Sequence, residues 1–309
     1  NIHVIGCNEG AKIRADGERS SAPGSIQKTS SNLLNMIFDG CSFRSVFQAA
    51  RISGENTTHL KNCVFKDMAY RGYSTLTPGS TVERCIFDNT QASSALFATF
   101  AGNTNDVQGR ITVKDNIFQL PTTNHGQAHS LYEASYLHFL GEHNIYYNCQ
   151  RTAAAQLGTF KNDPPLGQTY EWSNNLSVSD NFIDRLDSGG QVGHAFQGGD
   201  ATANMENGEM DIIFRSNTLF VDNLVANPRG LTLFKQTQIG VGDVKANVFY
   251  LNNMAFHGIG GSIEAVDEDF GDGIAHGYAN NYSDGGALEN TNQSGTAFGS
   301  SDVKLPAGL

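Results

Sequence analysis

The sequence predicts an all-β fold, a parallel β-helix solenoid of about ten stacked coils. Three observations predict it. A short motif recurs along almost the whole chain, some copies follow each other too closely for a propeller blade, and the residues around each copy alternate as a strand does.

The motif is an apolar residue, two variable residues, a Cys or Asn, one more residue, then an aromatic or aliphatic residue. It reads Phe38, Cys41, Phe43, then Leu60, Cys63, Phe65, then Val82, Cys85, Phe87, then Val113, Asn116, Phe118. Further copies centre on Asn144 (with Tyr146), Asn181 (with Val178 and Ile183), Asn217 (with Phe214 and Leu219) and Asn247 (with Val244 and Phe249). Val4 with Cys7, and Tyr278 with Asn281, are incomplete first and last copies. Successive anchors from Cys7 to Asn281 lie 34, 22, 22, 31, 28, 37, 36, 30 and 34 residues apart. A fixed core with variable spacing makes each repeat one coil and the surplus residues loops. A propeller blade needs about 40 residues in four antiparallel strands, which the shortest repeats cannot hold.

Within a coil, the residues three before and two after the anchor should form stacked internal rows. The anchor should occupy a turn, where Asn accepts left-handed backbone and stacked amides bond along the axis. A second strand per coil is expected near Arg51, Leu96, Leu131, Gln156, Phe196, Thr232 and Ile263, roughly in phase with the motif.

This pattern resembles the pectate-lyase-like superfamily of right-handed parallel β-helices, over residues 1–283. The resemblance implies an architecture and leaves the activity open, because that superfamily holds lyases, glycoside hydrolases, tailspikes, adhesins and inert scaffolds. Residues 284–309 are rich in Gly, Asn and Ser and should form a C-terminal tail that wraps or caps the solenoid.

Composition narrows the partners. The chain has 309 residues and a formal charge of −11, which argues against nucleic acid, since phosphate binding concentrates Lys and Arg. No apolar run is long enough to span a membrane. The chain opens on the strand-like Asn1-Ile2-His3-Val4-Ile5, as a processed or trimmed product would. Cys7, Cys41, Cys63 and Cys85 share one repeat position and are read as a ladder of buried thiols standing where later coils have Asn. Cys149 lies outside that row, and no spacing suggests zinc.

The expected ligand is an extended polysaccharide, laid along a groove where side chains repeat every ~4.8 Å, on an extracellular, cell-surface or virion protein. Aligning the second strands gathers His129, Glu133, Gln156, Gln197 and Glu264 as candidate substrate-binding residues. His194, Arg229 and Lys235 are the candidate catalytic set: a lyase needs a base for the proton α to a carboxylate and a cation for the enolate. A glycoside hydrolase needs two carboxylates about 5 to 5.5 Å or 6.5 to 9.5 Å apart, and Asp180, Asp184 and Asp187 form the alternative set. Asp267, Asp269 and Asp272 invite a calcium site, although Tyr278 stands where an EF-hand loop would place its acidic ligand. Tyr70, Tyr73, Tyr132, Tyr136, Tyr147, Tyr170 and Trp172 could stack on sugar rings or cover coil edges. The Arg-x-Pro-x-x-Arg pattern of pectate lyases and the Asn-Thr-Asp, Asp-Asp and Gly-His-Gly blocks of polygalacturonase-like hydrolases are missing. A non-catalytic structural or adhesive solenoid, a filament subunit or spike assembled as a homo-oligomer or end to end, is therefore the competing expectation.

Overall fold

The computed structural model describes residues 2–5, 11–14, 26–28, 35–44, 48–52, 57–66, 71–73, 79–88, 97–100, 110–119, 131–134, 138–147, 169–179, 182–183, 194–200, 209–221, 224–225, 232–237, 245–257, 266–268, 275–283 and 303–304. Among these every regular element is a β-strand, and every strand pairing is parallel. The architecture is all-β and consistent with a parallel β-helix.

Two long sheets carry the fold. The first has ten strands, running in chain order from Ile2–Ile5 through Thr57–Lys61, Ile111–Lys114 and Thr169–Ser173 to Ala275–Ala279. The second has eleven, from Ala11–Arg14 through Val64–Lys66, Ile117–Gln119 and Leu176–Ser179 to Tyr282–Ser283, with Val303–Lys304 added beyond. Each first-sheet strand is followed by a second-sheet strand after a corner, and each bonds its counterparts in the neighbouring repeats. A third side is built in pieces: five strands from Ile26–Lys28 to Leu131–Ala134, and three at His194–Asp200, Thr232–Thr237 and Val266–Glu268. Of the second strands expected per coil, those near Gln156 and Ile263 lie outside the described residues.

The corner between the two long sheets explains the motif. The residue just before each anchor has left-handed backbone: Gly40, Asn62, Arg84, Asp115, His143, Asn174, Ser216, Asn252 and Asn280, with φ between 52° and 65°. The anchor itself is not the left-handed residue, contrary to expectation. It is the buried residue that follows, and its amide turns into the stack. Asn116 donates from its backbone N and its Nδ2 to Asn144 Oδ1 at 3.1 and 2.9 Å, and its second Nδ2 hydrogen goes to Val82 O at 3.0 Å. The same three bonds recur at Asn144, Asn175, Asn217 and Asn253. Buried amides are stable only when bonded, and here both hydrogens and the oxygen of each amide are used.

Two anchors need correction. The ladder runs through Asn175 and Asn253, not Asn181 and Asn247. Asn247 lies inside the strand Lys245–Leu251, and Asn181 lies outside the described residues. The motif misleads because the residues two after the true anchors are Ser177 and Ala255, too small to match it.

Inside, the residue two after the anchor builds an aromatic column. Phe65, Phe87, Phe118 and Tyr146 stack face to face with centroids 4.6, 4.8 and 5.1 Å apart. The residue three before the anchor fills the facing row, with Leu60, Val82, Val113, Trp172, Phe214 and Tyr250 all buried. Trp172 is wholly enclosed, so it cannot be a sugar-stacking surface.

The first part of the ladder is made of thiols. Cys63 and Cys85 are buried thiols, each donating to the carbonyl two residues earlier, Lys61 O at 3.2 Å and Glu83 O at 3.4 Å. Burial pushes the Cys85 thiol well above its ordinary pKa, and the Cys63 side chain beside it adds to the rise. Cys41 lies in a strand of the second sheet, and Cys7 and Cys149 lie outside the described residues.

Candidate functional site

Third-side strands place part of the expected site. His194 and Gln197 stand in the strand His194–Asp200, Lys235 in Thr232–Thr237 and Asp267 in Val266–Glu268. Register sets His194 opposite Thr232, Gln197 opposite Lys235, and Lys235 opposite Asp267. Gln197, Lys235 and Asp267 therefore form one cross-strand row, with rungs ~4.8 Å apart. Phe196, Phe234 and Val266 form the adjacent row, and alternation along a strand assigns the two rows to opposite faces. Glu133 belongs to the other third-side sheet, opposite Thr99. His129, Gln156, Arg229, Glu264, Asp180, Asp184, Asp187, Asp269 and Asp272 lie outside the described residues. Among the described residues, no three His, Cys, Asp or Glu side chains gather as metal ligands.

The outer face of the first sheet holds polar clusters that the repeated motif does not register. Two residues before each anchor stand Asp39, Lys61, Glu83, Lys114 and Glu142, cross-strand partners on successive rungs with alternating charge. Glu83 binds Lys114 at 3.6 Å, Arg84 at 3.7 Å and Lys61 at 3.9 Å. The signal was present in the sequence, at a fixed offset from anchors already identified.

Further along this face, Glu171 is held between Arg215 at 2.9 Å and Arg110 at 3.2 Å, the latter reaching across two rungs. The rung between them carries His138, whose Nδ1 lies 3.4 Å from both Thr169 N and Thr169 O, accepting from the first or donating to the second according to its tautomer. Burial holds His138 below its ordinary pKa, and the Arg110 charge acts in the same direction. A carboxylate already shared by two guanidiniums is an orienting group. The cluster braces the sheet, and its cations are committed to Glu171.

The second sheet differs sharply. From Cys63 onward its outward residue just after each anchor is Val64, Ile86, Ile117, Ile145, Leu176, Thr218, Met254 and Tyr282, all in register; ahead of Val64 the same row reads Lys12 and Ser42. Ile86, Ile117, Ile145, Met254 and Tyr282 are exposed by 36 to 40%, and Phe220 in the neighbouring row by 43%. The Cys, Asn and aromatic residues on the inner side alternate with this stripe, so strand pleating alone aims it outward.

Comparison with known proteins adds no relative: no protein-family model matches the chain, and no curated protein or solved structure is similar to it. No helix in the described residues is long and apolar enough to cross a membrane.

Proposed function

We propose that this chain is a right-handed parallel β-helix of about ten coils, of the pectate-lyase-like kind, that binds an extended polysaccharide on an extracellular, cell-surface or virion protein. The observation that carries this is the in-register row of Gln197, Lys235 and Asp267, with His194 at the start of the same strand. An amide, an ammonium and a carboxylate at a repeat of ~4.8 Å offer donors and acceptors in the order an extended chain of hydroxyls and carboxylates can meet. These strands carry two candidate bases for a lyase, Lys235 and His194, and Arg229, outside the described residues, is the candidate cation to neutralise the uronate.

The test is a panel of uronate-containing and neutral polysaccharides, read by binding and by appearance of unsaturated products. Lys235→Ala should weaken binding, and in a lyase His194→Ala or Lys235→Ala should abolish product. A panel on which the unaltered protein binds nothing would end this reading.

A non-catalytic structural or adhesive solenoid is favoured by one specific observation. The first-sheet charges are spent on each other, Lys61 and Lys114 on Glu83, and Arg110 and Arg215 on Glu171. Subunits joined end to end in sedimentation and electron microscopy, with no glycan bound, would establish that role.

A further inference from the structure

We infer that the outer face of the second sheet is a binding strip for an uncharged polysaccharide with flat apolar ring faces, an insoluble β-linked glycan. This rests on the polysaccharide reading above and extends it by naming a sugar class and a second surface.

Contrast within one molecule motivates the inference. Both long sheets are built from strands of the same type, yet their outward residues differ in kind. Lys61, Glu83, Lys114 and Glu142 mark the first sheet, whereas Ile86, Ile117, Ile145 and Met254 mark the second. Strand propensity favours β-branched residues on either face, so it does not account for the difference. Contiguous exposed apolar residues with a polar surround mark a site to be covered.

Shape decides what covers it. From Val64 to Tyr282 there are seven rung spacings, a length of about 34 Å, and three residues of strand give a width of about 10 Å. That footprint, on the order of 340 Å², is less than half of the ~800 Å² per partner that a stable protein interface takes. A second copy of this chain would find too little area. A single extended glycan needs length and only the breadth of one ring.

Chemistry agrees with that choice. From Val64 to Tyr282 the stripe carries no charge, so this stretch offers an acidic polysaccharide nothing. In the adjacent row the charged pair Lys66 and Asp88 neutralise each other at 3.0 Å, and the row then continues as Gln119, Tyr147, Val178 and Phe220. Tyr282 in the stripe and Phe220 beside it are exposed rings suited to the C–H faces of a sugar. The fixed rung spacing keeps the surface flat and regular, as an ordered insoluble polymer requires.

The experiment is a pull-down of the full chain on microcrystalline cellulose and chitin, with polygalacturonate and alginate as acidic comparisons. It uses Ile86→Thr/Ile117→Thr/Ile145→Thr, which retains β-branching, and the single Ile117→Thr. Thermal unfolding checks that each variant is folded, and sedimentation gives its oligomeric state. The inference expects binding to cellulose or chitin that the triple variant weakens about tenfold or more and that Ile117→Thr weakens in part. Binding that survives in a folded triple variant overturns the strip alone. A concentration-dependent dimer that the triple variant dissolves overturns it in favour of a second copy. Binding to no polysaccharide at all removes this inference together with the broader reading.

Discussion

Gly141 lies directly beneath Trp172, so close that a Cβ on residue 141 would stand 2.4 Å from the indole Cζ3 and 2.5 Å from Cε3. The two are cross-strand partners on adjacent rungs, and the indole fills the space that a side chain on the lower rung would occupy. Trp172 also leans on Phe139 at 4.9 Å and meets Tyr146 edge-on at 6.2 Å, where the aromatic column ends at Ser177. Gly141→Ala should lower stability by about 2 to 4 kcal/mol, an overpacking cost against an enclosed ring. Adding Trp172→Leu should recover part of that loss. Chemical denaturation of the two single variants and the double variant gives the coupling directly.

Removing one amide from the ladder should be costly. Asn144→Ala deprives Asn116 of the acceptor for its backbone N and one Nδ2 hydrogen, both buried. Each orphaned buried group costs about 1 to 3 kcal/mol, so a loss of about 3 to 5 kcal/mol is expected. Asn174→Ala, one residue before the ladder's Asn175 and exposed, should cost about 1 to 2 kcal/mol, through its left-handed backbone. Denaturant midpoints with unchanged slopes are the measurement.

The thiol section should accept conversion to amides. At residue 85 an Asn would meet Asn116 Oδ1, which accepts the Cys85 backbone N at 2.8 Å. Following the rule of the other rungs, its second hydrogen would reach the carbonyl of Leu60. Cys85→Asn should therefore keep wild-type stability within about 1 kcal/mol. Cys85→Leu should lose more than that, by overpacking. In the unaltered protein, Cys63 and Cys85 should resist alkylation at pH 8 until the chain is unfolded, as followed by mass spectrometry.

Stability should fall on acidification in a way that His59 reports. Its Nδ1 lies 2.9 Å from Thr81 Oγ1. Burial holds its pKa below the ordinary value, with Lys61 acting in the same direction and Glu83 opposing. A folded pKa below the unfolded one means that the unfolded chain binds the proton more readily. The contribution is whole above the unfolded value of about 6.5 and is lost as pH falls from there towards the folded value. His59→Gln should flatten that part of a stability profile measured between pH 8 and pH 5.

The corners were legible in the sequence because they recur in kind: Leu60, Cys63 and Phe65 share a pattern with Val113, Asn116 and Phe118. Where packing trades volume between rows, the pattern broke. Trp172 is large over Gly141, Ser177 is correspondingly small, and the motif therefore points to Asn181 instead of Asn175. Asn175 and Asn281 also begin Asn-x-Ser/Thr triplets, yet both are buried at 2% and 4% exposure with their amides bonded, so a glycan on either would break the ladder. On the third side, three positions named from sequence phase alone, His194, Gln197 and Lys235, fall in paired strands. Asp267, singled out for its acidic surroundings, joins them only through the register of Val266–Glu268, which short-range patterning does not reveal.

The alternating charges of Lys61, Glu83, Lys114 and Glu142 give the first sheet a parity. Excising any single repeat within this stretch would bring two like charges onto neighbouring rungs, whereas excising two would restore the alternation. Within this stretch the modules are thus interchangeable in pairs, and the unit by which it could be shortened or lengthened is the doublet of rungs.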